Sequence, residues 1–177
     1  MFREVMNLKY GIVAFPSKNL QDLANNYRKR YDPHYAQIAP HMTLKDAFEA
    51  DESAVQDIAA KLTEIASNFA PLKIHASRIS SFFPTTNAMY FRIEPTEQLA
   101  NIQKTIQEKI AFGEQKHVFV PHITIAQKLT ASEHDDVFGQ LRMSGVDVQE
   151  EIQQIHLLKE QDGKWEIVES FRLNGAE

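Results

Sequence analysis

The chain has 177 residues, a formal net charge of −5 and no cysteine, with 43% hydrophobic and 24% charged residues. This is ordinary globular composition, so one domain spanning 1–177 is expected, and disulfides, zinc–thiolate sites and cysteine nucleophiles are excluded. The acidic balance argues against an extended nucleic-acid surface, which needs many basic groups against phosphate, and leaves small phosphorylated ligands or RNA ends as fitting partners.

The residues before Leu8 carry Arg3 and Glu4 and no apolar run, so no secretory leader is expected, and Met1 and Met6 both stand as candidate starts. Leu8 to Phe15 reads as a buried strand. Pro16-Ser17 opens a helix with Leu20, Leu23, Ala24 and Tyr27 on one face, ending before Pro33. Arg28, Lys29 and Arg30 close it, where cations suit the helix dipole. A short strand covers about Met42 to Phe48, and Val55, Ile58, Ala59, Leu62, Ile65, Ala66 and Phe69 recur at helical spacing. Leu72 to Phe83 and Ala88 to Glu94 read as strands joined through Pro84-Thr85-Thr86-Asn87. The longest stretch free of charge, Ile79 to Phe91, contains Ser80, Ser81, Thr85, Thr86 and Asn87, so no membrane span is expected and the chain reads as cytoplasmic.

Pro95-Thr96 opens a third helix with Leu99, Ile102, Ile106 and Ile110 inward, and Gly113 suits its C′ position. A strand follows from about Ile123 to Gln127. Thr130 and Glu133 have capping-box spacing before a helix through Val137, Phe138 and Leu141 that closes near Gly145. The chain ends in a hairpin, Ile152 to Lys159 and Trp165 to Leu173, turning at Asp162-Gly163.

The two halves read alike. Tyr10 leads through a strand into Pro16-Ser17-Lys18-Asn19-Leu20, and Tyr90 into Pro95-Thr96-Glu97-Gln98-Leu99. Each then runs helix, loop and a Pro-His pair opening a strand, which suggests a repeated unit over about 8–87 and 88–173. The endings are Pro40-His41-Met42-Thr43-Leu44 and Pro121-His122-Ile123-Thr124-Ile125. Strand alternation puts His41 with Thr43, and His122 with Thr124, on one face and the apolar residues on the other. A proline suits the first residue of a strand, where its missing N–H costs little. His75-Ala76-Ser77 fits only the bare spacing, lacks the proline and is followed by Arg78, so His75 reads as a strand-face residue.

Histidine titrates near neutrality and serves as acid or base there. Opening a cyclic phosphodiester needs one group to activate water and another to protonate the leaving oxygen, and a threonine hydroxyl can hold a non-bridging phosphate oxygen. Two His-x-Thr pairs across a cleft supply all of this without a metal or other cofactor, and neither motif has metal-ligand spacing.

The paired motifs on a duplicated α+β chain resemble the 2H phosphoesterase superfamily. Tyr10–Lys18, Arg28–Pro33 and Gly139–Met143 look like its bacterial YjcG-like branch. The resemblance implies a bilobal, pseudo-twofold α+β fold with two antiparallel-type sheets around a central cleft and helices outside. It also implies metal-independent chemistry at 2′,3′-cyclic or 2′–5′ phosphodiesters, with His41 as proton donor, His122 as acceptor, and Thr43 and Thr124 on the phosphate.

Weaker site candidates are Lys45, on the same strand face as Thr43 but more naturally a solvated strand-end lysine, and Gln127, on the opposite alternation from His122. Phe82 and Phe83 suit base stacking or core packing. Tyr31 and His34 lie in the loop leading to the first motif, His117 in a loop and His134 in a first helical turn, while His156 reads as structural. RNA ligation at the same site and a nucleotide sensor without turnover are the competing readings; a metallohydrolase is poorly supported.

Overall fold

The computed structural model describes residues 7–176, so the candidate starts Met1 and Met6 lie outside the described residues. The elements are β1 (Leu8–Ala14), α1 (Lys18–Tyr31), β2 (Met42–Ala50), α2 (Glu52–Ser67), β3 (Leu72–Ser81), β4 (Met89–Ile93), α3 (Glu97–Lys109), β5 (His122–Ala126), α4 (Ala131–Leu141), β6 (Val148–Ile152), β7 (Gln154–Gln161) and β8 (Lys164–Arg172). Side-chain caps start every helix: Ser17, Asp51, Thr96 and Thr130 each accept from a backbone N–H of the first turn, and Thr130 with Glu133 forms the expected capping box. Leu20, Ile58, Leu62, Leu99, Ile102 and Ile106 are all 0% exposed, so the apolar stripes of α1, α2 and α3 supply one side of the core. Among the described residues no helix is long and apolar enough to cross a membrane.

The strands form one eight-stranded sheet of order β6-β3-β4-β5-β2-β1-β7-β8, and every pairing is antiparallel. The expected pair of sheets is therefore joined at its middle, where Met42 of β2 pairs with Ile123 of β5. The order outward from that joint is β5-β4-β3-β6 on one side and β2-β1-β7-β8 on the other. The sequence halves do not map onto these sides: β3 leaves the first half to pair with β4, and β7 comes back from the second to pair with β1. The helices also cross over, α1 packing against β5 and α3 against β2.

Two details depart from the sequence reading. Residues Val148–Ile152 form a strand that the sequence pattern does not announce, and Ile152, expected to open the terminal hairpin, belongs to it; with Glu150 and Glu151 in it, its pattern is weak, and as an edge strand it tolerates that polarity. Gly113 is not the C′ residue of α3, whose cap is Ile110; it stands further on, in a loop, with φ +68°. The terminal hairpin turns as expected at Asp162 (φ 53°) and Gly163 (φ 78°), the positive angles of a type I′ turn.

Candidate active site

The joint between β2 and β5 brings the two motifs side by side at the centre of the sheet. Met42, Leu44, Ile123 and Ile125 are at most 2% exposed under the helices, which forces His41, Thr43, His122 and Thr124 to the open face. Each imidazole is held in the same way. His41 Nδ1 lies 2.8 Å from the Ala39 carbonyl oxygen and His122 Nδ1 2.6 Å from that of Val120. A carbonyl only accepts, so Nδ1 carries the proton in both rings and Nε2 is left free for chemistry. The intervening Pro40 and Pro121 have fixed φ and keep the preceding residue extended, which aims that carbonyl back at the ring.

Burial lowers both histidines. His41 falls from 6.5 to about 4, chiefly through lost hydration, with nearby Arg28 and His122 lowering it further against its bond to Ala39 and the charge of Asp32. His122 is lowered by burial too, against its bond to Val120 and the charge of Asp46. Between pH 6.5 and 4 the unfolded chain therefore binds protons that the folded chain refuses, so stability is full above 6.5 and falls as the pH drops through that window. Urea unfolding is expected to lose up to about 3 kcal/mol through His41 alone between pH 7 and 4, and His41→Asn is expected to flatten the slope.

Two cavities meet over the motifs. The first, about 480 Å³, is lined by His122, Thr124, Phe82 and three glutamines of α3 and the loop after it, Gln103, Gln107 and Gln115. The second, about 470 Å³, is lined by His41, His34, Gln37, Glu160 and Trp165. Thr43, Asp46 and Gln127 line both, so a group at their junction is within reach of either histidine. Phe82 stands edge-on to His122 with centroids 5.0 Å apart and packs on Tyr90 at 4.2 Å. Phe83 lines neither cavity; it is 52% exposed and stacks on His134 at 5.1 Å. His34 and His117 border the second and first cavity respectively. His156 is 8% exposed and bonded to Ser170, as a structural residue should be.

Lys45 is a correction. The residue expected as a solvated strand end is 4% exposed, and its Nζ donates to Gln107 Oε1 at 2.5 Å. β2 is irregular here, Ile12 pairing with Lys45 and Val13 with Thr43, yet Lys45 still lines the second cavity together with Thr43. Gln127, just past β5, makes the matching tie to the other helix, donating through Nε2 to Asp32 Oδ1 at 2.9 Å.

Asp32 belongs to a buried network that sequence reasoning missed. Arg28, 2% exposed, donates from Nε to Asp32 Oδ2 (3.2 Å), from Nη1 to Asn25 (2.8 Å) and from Nη2 to the Ile38 carbonyl (2.6 Å). Asp32 Oδ1 also accepts from the His34 N–H at 2.8 Å. The network therefore fastens the loop before His41 to the residue that follows the second motif. The only sequence signal was Arg28 lying on the apolar side of α1, one turn after Ala24. Asp46 and Trp165 were missed as well, because neither belongs to a motif.

Two free imidazole nitrogens and two threonines, gathered at the central joint of a curled antiparallel sheet with helices behind it, define a protein of the two-histidine phosphoesterase type. The chain belongs to the 2′-5′ RNA ligase superfamily, whose family model matches residues 16–164. A relative from Geobacillus sp. (strain WCH70) is 44% identical over 171 residues, covering 96% of this chain and 99% of its own length. One from Staphylococcus haemolyticus is 39% identical over 168 residues, covering 94% and 99%. Both bear the name "Putative phosphoesterase". Among solved structures, Escherichia coli LigT complexed with 3′-AMP aligns with a TM-score of 0.74 at 11% identity, over 95% of this chain and 99% of that one. The Thermus thermophilus protein TT0787 aligns at 0.71 and 17% identity, over 96% and 100%. At those identities the likeness is one of fold alone.

Proposed function

We propose that the chain is a phosphodiesterase that hydrolyses a 2′,3′-cyclic or 2′–5′ phosphodiester of a nucleotide or RNA end by two-histidine acid–base catalysis. The observation that carries this reading is the matched pair of imidazoles, each locked by a carbonyl at Nδ1 and free at Nε2, flanking a shared junction. His122 Nε2 takes a proton from water as its oxygen bonds to phosphorus. His41 Nε2–H gives a proton to the ester oxygen as the P–O bond breaks, leaving a phosphomonoester and an alcohol. Thr43 and Thr124 donate to the non-bridging oxygens, where charge builds. Solvent then returns the proton from His122 and reprotonates His41.

Several features favour a small, singly charged substrate. Asp46 sits at the junction, and among the described residues neither Lys nor Arg lines the first cavity. A carboxylate there repels a doubly charged phosphomonoester more than a diester monoanion, which speeds product departure. Among the described residues no three His, Asp or Glu side chains converge on a point that could hold a metal ion.

The test is turnover of 2′,3′-cyclic nucleotides and short RNAs ending in cyclic phosphate, in excess EDTA, from pH 4 to 8. The active form carries one proton shared between two depressed histidines, so kcat/KM is expected to be bell-shaped with its maximum below pH 6.5. Activity that dies on chelation, or a maximum above pH 7.5, would overturn the mechanism. Tight binding of intact substrate with no product would favour the sensor reading.

A further inference from the structure

We propose that the cavity beside His41 is a second substrate subsite, in which Trp165 stacks a nucleobase, so that the preferred substrate carries a base on each side of its phosphorus. This rests on the phosphodiester chemistry above and extends it from the bond to the groups the bond joins. The geometry is that of a two-armed site. The cavities meet at Thr43, Asp46 and Gln127, and each holds one histidine. A phosphorus at the junction directs one ester oxygen toward each cavity. A nucleoside 2′,3′-cyclic phosphate has both ester oxygens on one sugar and fills only one side. The second cavity, at about 470 Å³, is nearly as large as the first at about 480 Å³.

Its walls suit a planar, uncharged aromatic. The Trp165 ring lies over Gly11, its nearest carbon 3.6 Å from where a Cβ would stand, so the strand beneath adds no side chain of its own. The Trp165 backbone N–H donates to the Gln37 carbonyl at 3.0 Å, fastening the hairpin to the loop that leads to His41. Gln37 Oε1 holds His34 Nδ1 at 2.6 Å, which leaves the Gln37 amide N–H groups and His34 Nε2 for the edge of a base. Charge disfavours a polyphosphate arm: among the described residues the one Lys or Arg in the lining is Lys45, whose ammonium is taken by Gln107, while Asp46 and Glu160 are acidic. Phe82 beside His122 gives the first cavity an aromatic of its own.

Trp165 is the sole tryptophan, so its emission reports this subsite directly. The full chain carrying His122→Ala, which holds diester intact, would be titrated with adenylyl-(2′→5′)-adenosine and, separately, with adenosine 2′-(methyl phosphate), whose leaving methanol brings no base to the His41 side. The two-base diester is expected to quench Trp165 emission and the methyl diester to leave it unchanged. In the otherwise wild-type chain, Trp165→Leu is expected to raise KM for the two-base diester about 10-fold, in line with the loss of one stacked base, and to change KM for the methyl diester less than about twofold. Trp165→Phe, which keeps a ring, is expected to restore most of the two-base diester KM. Equal damage to both substrates, or quenching by the methyl diester as strong as by the two-base diester, overturns the second subsite. The fluorescence arm reads binding without turnover, so it fails independently of the hydrolytic reading.

Discussion

Replacing His41 with alanine is expected to lower turnover of 2′,3′-cyclic AMP by about 10²–10⁴-fold, the usual weight of a positioned acid or base. The same variant is expected to retain far more activity on a nitrophenyl phosphodiester, whose leaving group departs without a proton. His122→Ala is expected to lose comparable activity on both substrates, because water must still be deprotonated whatever leaves. The contrast matters because electrostatics in the free chain lean the other way. Arg28 disfavours a proton on His41, and Asp46 favours one on His122. His41 serves as the acid only if the bound phosphate, an anion beside its Nε2, lifts it well above about 4. Rescue of His122→Ala by the good leaving group, with none for His41→Ala, would exchange the two roles and leave the pair itself standing. The double variant is expected to be little worse than the worse single one, since either loss already breaks the proton relay.

The motif strands were legible because alternation is a local rule. Thr43 and Thr124 had to share a face with their histidines once Met42, Leu44, Ile123 and Ile125 were buried. The caps at Ser17, Thr96 and Thr130 and the turn at Asp162-Gly163 were legible for the same reason, each being fixed by residues within one turn of the chain. What was hidden depends on pairing between distant segments. One backbone pair, Met42 with Ile123, turns two expected sheets into one, and no local pattern announces it. The tie from Lys45 to Gln107 joins β2 to α3 across 62 positions, so no local pattern shows it. The missing N–H of Pro40 and Pro121 is all that the strand pattern shows, whereas their larger effect is to present the Ala39 and Val120 carbonyls to the rings. The second cavity needs β7 and β8 to come back beside β1, so Trp165 had no visible neighbour in the sequence.

Arg28→Met is expected to cost about 3–5 kcal/mol of unfolding free energy, because it strands the Asp32 carboxylate in a site where both partners are 2% exposed. Thermal or urea unfolding would measure it, and a loss under about 1 kcal/mol would mean that water reaches the pair. Arg28→Lys keeps the charge but not the fork that joins Asp32, Asn25 and the Ile38 carbonyl, so partial recovery is expected. The informative variant removes both charges. Arg28→Met with Asp32→Leu takes away the desolvation penalty along with the pair, and such replacements are often neutral or stabilising. If the pair served only stability, this chain would fold and turn over normally. Arg28, however, ties down the Ile38 carbonyl, three residues before His41, and Asp32 holds the side chain of Gln127, three residues after Thr124. Recovered stability with kcat still about 10-fold or more below wild type is therefore expected, since small displacements of a positioned acid or base are costly. That outcome would assign the buried charges to the alignment of the two motifs with each other, a task that neither central strand performs alone across a joint of one backbone pair.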